Sequence, residues 1–146
     1  MKTDMQKQLG QILLELRLVN QATLNKALQK QKDKHLPLGQ VLLQMKALKN
    51  EDLERALTQQ FGIVYLNPKT FRLADKSLLT LIPVQYADKW CCFPLERKKD
   101  TLQVATTDPF NSDALEDLSK ITKLTVKFVY SRYDWILELI HKYYTT

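Results

Sequence analysis

The segment LGQILLELRLVNQATLNKALQKQ, starting at Leu9, returns without a gap as LGQVLLQMKALKNEDLERALTQQ, starting at Leu38, an offset of 29 residues. A duplication of this length constrains the fold more than any single residue does, because both copies must form the same unit and bury the same face. In each copy the apolar residues fall at helical spacing. Leu9, Ile12, Leu13 and Leu16 precede Leu24, Ala27 and Leu28 in the first, and Leu38, Val41, Leu42 and Met45 precede Leu53, Ala56 and Leu57 in the second. Each copy therefore reads as helix, short polar turn, helix. Asn20 is the expected N-cap of the helix beginning QATL, and Glu51 and Asp52 suit the first turn of its counterpart, where the helix dipole favours acids. A lone hairpin of this length cannot cover its apolar stripe, so the copies are expected to pack as a pseudo-symmetric four-helix unit over residues 1–61.

Residues 62–146 are patterned differently. IVYL alternates β-branched and aromatic residues before Asn67 and Pro68, a strand signal. Short helices are expected around SLLTLIP and PVQYADKW. CCFPLERKKDTLQVATTD reads as a hairpin with the polar tip RKKD, and NSDALEDLSKITK as an amphipathic helix capped by Asn111 or Ser112. LTVKFVYS is a further strand, and DWILELIHKYY is a closing helix. The fold class predicted is α+β: duplicated helical hairpins followed by a small α/β subdomain.

The composition excludes several function classes. A chain of 146 residues that is 45% hydrophobic buries a real core. No run approaches the roughly 18 apolar residues of a membrane helix, and MKTDMQKQLG lacks a signal peptide's apolar stretch, so a cytoplasmic, non-spanning protein is expected. Cys91 and Cys92, adjacent in an apolar run, read as free buried thiols. The net charge of +6 is scattered among acids along helical stretches, which describes a solvated surface and no specific nucleic-acid face. Gly10, Gly39 and Gly62 are the only glycines, so neither a phosphate loop nor a dinucleotide fingerprint is present. His35 and His141 are read as surface or packing residues. The neighbouring carboxylates Glu51/Asp52 and Glu116/Asp117 point different ways around a helix and make no shared acid/base site. No enzyme, metal or cofactor is expected.

The duplicated LGxxLL(x9)L(x2)AL(x2)Q pattern and the later phrases LIPVQYADKWCCFPLERKKDTLQVATTDPFNSDALEDL and ILELIHKYY resemble the MshEN domain at the N-terminus of type IV pilus and type II secretion assembly ATPases. The resemblance covers nearly the whole chain. It implies a regulatory and docking module that binds cyclic di-GMP and meets a cytoplasmic or inner-membrane platform component of such a machine. In that family each copy opens on R-L-G, has a glycine at its tenth position and spaced leucines, and ends on a glutamine. The matching positions here are Leu9, Gly10, Leu24, Leu28 and Gln31 in the first copy and Leu38, Gly39, Leu53, Leu57 and Gln60 in the second. A glycine at a helix start would let backbone N–H groups approach a phosphate, leucines would flank the guanines, and the glutamine amide would hydrogen-bond to the nucleotide.

The chain departs from the pattern at four positions. Gln8 and Pro37 stand in place of the two arginines, and Arg17 and Lys46 in place of the mid-motif glycines. An arginine forks two hydrogen bonds onto the guanine edge, whereas glutamine is neutral and proline has no side-chain donor. At 1–3 kcal/mol per bidentate contact, losing both removes roughly 2–6 kcal/mol, which predicts a weakened cyclic di-GMP site. The alternative expectation is a pure protein-interaction module that has lost its nucleotide.

Overall fold

The computed structural model describes residues 2–34, 36–58 and 61–144, with side chains described for these except residues 2–8 and 34. Four helices come from the duplication: α1 (Lys2–Glu15), α2 (Gln21–Lys34), α3 (Leu38–Gln44) and α4 (Asn50–Leu57). Asn20 caps α2 as expected, its Oδ1 accepting from Thr23 N–H at 2.8 Å. Lys49 occupies the same place before α4 and has no side-chain acceptor. There Asp52 reaches back instead, accepting from Lys49 N–H at 3.4 Å. α2 packs on α3 and α1 on α4, so the copies are mated to each other and share one core of Leu9, Leu13, Leu24, Leu42, Leu53 and Leu57 among others.

The remaining elements are α5 (Leu78–Leu81), α6 (Val84–Trp90), β1 (Cys92–Lys98), β2 (Thr101–Thr106), α7 (Ser112–Thr122), β3 (Thr125–Tyr130) and α8 (Tyr133–Tyr144). The sheet has the order β1-β2-β3. The hairpin pair β1/β2 is antiparallel, with a bulge between Pro94 and Glu96, and β2/β3 is parallel because α7 crosses between them. Pro94 is tolerated because β1 is an edge strand. Asn111 caps α7, accepting from Ala114 N–H at 3.1 Å. α8 lies over the sheet and sends Tyr143 and Tyr144 against Phe93.

One expected element is reduced. The strand read from IVYL is a single parallel bridge between Ile63 and Tyr130, held by Tyr130 N–H to Gly62 O and Val64 N–H to Tyr130 O. Beyond it the chain is drawn off the sheet: the Tyr65 hydroxyl donates to Glu54 of α4 at 3.2 Å, and a turn closes on Asn67 O. The fold is therefore α+β with a three-stranded sheet. Phe110 and Tyr130, both fully buried, reach from this half into the helical core and join the two.

Candidate functional site

The duplicated positions sort by their packing. Arg17 and Lys46 both have φ of 60°. At each, two hydrogen bonds close the end of a helix: Arg17 N–H to Leu14 O with Leu18 N–H to Leu13 O, and Lys46 N–H to Leu43 O with Ala47 N–H to Leu42 O. This is the Schellman arrangement, whose left-handed residue is usually glycine. A glycine at the tenth position of the motif thus has a backbone reason. Here the cations stand in the left-handed conformation, where the negative end of the helix dipole favours their charge.

The Leu-Gly pairs differ from expectation in the first copy. α1 begins at Lys2, so Gly10 lies inside the helix and not at its start. A Cβ on Gly10 would meet Leu24 Cδ2 at 3.2 Å, and one on Gly39 would meet Leu53 Cδ2 at 2.9 Å. Both glycines let the second helix of a hairpin close onto the first. Leu9, Leu24, Leu38, Leu53 and Leu57 are buried, and only Leu28, 36% exposed, reaches the surface. The Gln8 side chain and Gln60, like His35, lie outside the described residues.

Gln31 and Pro37 are brought together. They line a cleft of about 440 Å³ between the helical region and the α/β half, with Lys32 and Leu36 on the same side and Asp88, Lys89, Trp90, Cys91, Asp108, Asn111 and Tyr133 opposite. The cleft therefore lies near the C-terminal ends of the parallel strands β2 and β3, the usual place for a ligand on such a sheet. Its charge is balanced, with Lys32 and Lys89 against Asp88 and Asp108. Trp90 is fixed by its indole N–H, which donates to Asp117 Oδ2 at 2.8 Å. Burial pushes the Cys91 thiol up to about 12, with a hydrogen bond to Thr107 working the other way, so the thiol is neutral at physiological pH and a poor nucleophile. Burial also raises Cys92 and Tyr133. Both cysteines are free and buried, as the sequence predicts.

Arg17 is elsewhere. It lines an open cavity of about 590 Å³ at the hairpin turns with Leu14, Leu18, Val19, Asn20, Thr23 and Ala47, the neighbour of Lys46. Thr23 and Gln31 are eight residues apart on α2, so about 12 Å separates the turn cavity from the cleft. The structure does not gather all the motif positions at one place.

Sequence reasoning missed Trp90, Asp108 and Tyr133, because nothing in a helical or strand period marks a residue at the end of an element. It also missed the fastening of the two regions. Glu54, 8% exposed, accepts from Arg132 Nε at 3.2 Å, and Arg132 lies 4.7 Å over the Trp135 ring. The Glu54 carboxylate raises the Tyr65 hydroxyl beside it. Among the described residues no group of three or more His, Cys, Asp or Glu could hold a metal ion, and no helix is long and apolar enough to cross a membrane.

Comparison with known proteins matches this geometry to known relatives. The chain is 29% identical over 140 residues to the type IV pilus assembly ATPase PilB of Myxococcus xanthus (strain DK1622). That alignment takes in 96% of this chain and 25% of the relative, so the chain spans a quarter of PilB's length. A solved structure of MshE with cdg superposes with a TM-score of 0.72 at 27% identity, covering 93% of this chain and 98% of that one. The N-terminal domain of XpsE shares the fold, with a TM-score of 0.72 at 15% identity and 96% of each chain covered. The MshEN domain model matches residues 61–146, the α/β half and its junction with α4, and on that match the chain belongs to the MshEN domain family.

Proposed function

We propose that this chain is a regulatory and docking module of the kind carried by type II secretion and type IV pilus assembly ATPases, dividing between residues 61 and 62, with a weakened cyclic di-GMP site and no catalytic chemistry or cofactor of its own. One observation carries the reading: Gln31 and Pro37, two positions of the duplicated motif, line a cleft of about 440 Å³ in a chain related along 93% of its length to MshE, which was solved with cdg, read here as cyclic di-GMP. The site is weak because Pro37 puts no donor into the cleft and Gln8 carries none of arginine's charge. The module acts in the cytoplasm on a cytoplasmic or inner-membrane platform component, and its net charge of +6 makes that association salt-sensitive.

A second reading is a pure interaction module. It is favoured by the burial of Leu9, Leu24, Leu38, Leu53 and Leu57, which packing alone explains. Calorimetric titration with cyclic di-GMP, with GTP as control, separates the two. The first reading expects saturable heat from cyclic di-GMP, tens- to thousands-fold weaker than a micromolar site, and none from GTP. Silence at millimolar cyclic di-GMP, in a protein that still binds a platform component, leaves the second. ATP turnover by the pure chain, lost on mutation of one of its residues, would overturn both.

A further inference from the structure

The wall of the cleft contributed by the α/β half holds chemistry that the duplicated motif does not supply. Trp90, the last residue of α6, is half-buried, and its bond to Asp117 fixes the ring against α7. Trp90 lines the cleft, and the exposed Lys89 ammonium lies over its ring, 4.8 Å from the centroid. A cation over a half-exposed indole is weakly held, so a flat ring of suitable size can take its place. The displaced lysine stays at the cleft, where Lys32 of α2 approaches from the other side. Asn111 spends its side-chain oxygen on capping Ala114 N–H, which leaves its amide N–H groups as donors at the cleft wall.

We propose that Trp90 is a stacking platform for a base of a cyclic purine dinucleotide, with Lys89 and Lys32 meeting its phosphates, so that the ligand is gripped between α2 and α6. The inference rests on the cleft being the nucleotide site, and it adds a specificity consequence. Stacking accepts any base because every base has a π-face, whereas an arginine fork reads the guanine edge. With Gln8 and Pro37 in place of two arginines, base affinity survives and guanine preference does not. Each missing fork removes about tenfold or more of discrimination.

The test uses Trp135→Phe as background, so that emission reports Trp90 alone, and titrates cyclic di-GMP and cyclic di-AMP by fluorescence and calorimetry. Both should quench Trp90 saturably, with affinities within about tenfold of each other. Trp90→Leu should weaken both at least tenfold, and Trp90→Phe, which keeps a ring, should retain most of the binding. Circular dichroism checks that each variant is folded. Heat without quenching, or a folded Trp90→Leu variant that binds like its parent, overturns the platform and leaves the cyclic di-GMP reading standing. Quenching by cyclic di-AMP with no response to cyclic di-GMP supports the platform but overturns both that reading and the specificity consequence. A guanine preference above about a hundredfold overturns the specificity consequence, and silence with both nucleotides at millimolar concentration overturns platform and reading together.

Discussion

The two copies of the repeat share their glycines, their left-handed turns and most of their core leucines, and they differ at positions exposed in the first copy and covered in the second. Leu28 in the first copy is 36% exposed, while its counterpart Leu57 is 1% exposed. Asn25 is exposed and accepts from Gln21 along its own helix at 2.9 Å. Its counterpart Glu54 is buried and fastened to Arg132 and Tyr65 of the α/β half. The second copy supplies these side-chain bonds to the rest of the molecule, while the first copy meets it by packing, α1 lying against α7. The first copy leaves Gln31 facing the cleft from the end of α2. A duplicated pattern therefore sets how hairpins pack, and single departures from it decide which hairpin carries the polar bonds to the α/β half.

The comparison breaks most visibly at the paired leucines. Leu57→Ala should cost about 2–4 kcal/mol in urea denaturation, through lost burial and a cavity, whereas Leu28→Ala should cost under about 1 kcal/mol. Equal costs would mean that the copies are equivalent. At the next pair, Glu54→Ala should cost about 1–3 kcal/mol, reduced from the fully buried case because the Arg132 side chain is 29% exposed. Asn25→Ala should fall within about 0.5 kcal/mol of the parent, and a double-mutant cycle with Arg132→Ala should show coupling to Glu54 alone.

The glycines sharpen the comparison at smaller scale. Gly39→Ala meets Leu53 at 2.9 Å in a fully packed setting and should destabilise by about 1–2 kcal/mol. Gly10→Ala at 3.2 Å, inside a helix that gains from alanine, should come out near zero. The smallest effect is one in which the copies agree: Arg17→Gly and Lys46→Gly should each stabilise by up to about 0.5 kcal/mol, relief of the left-handed conformation being offset by the lost charge at the helix end. Unequal responses in thermal unfolding would show that one of the two side chains has a further role.

Periodicity was a good guide to the helices of the duplication, to the β1/β2 hairpin and to the Asn20 and Asn111 caps, because each depends on residues within a few positions of one another. It failed where the outcome depended on distant partners. The IVYL strand shrinks to one bridge because Tyr65 is claimed by Glu54, eleven residues earlier. Gly10 sits inside α1 because that helix begins at Lys2, seven residues before the repeat. The site was half legible: Gln31 and Pro37 belong to a repeated pattern, whereas Trp90, Asp108 and Tyr133 meet them through the docking of the two regions, to which Phe110, Tyr130 and Glu54 contribute. Arg17 and Lys46 were named from the motif, and their turn geometry places them at the far end of the hairpins.

The central claim, a family nucleotide site weakened by two replaced arginines, is tested most directly by calorimetric titration of cyclic di-GMP into the Gln8→Arg, Pro37→Arg double variant. The account predicts that affinity rises at least about tenfold over the parent, the low end of what one recovered fork supplies. A double variant that is folded by circular dichroism and binds cyclic di-GMP no better than the parent would contradict it.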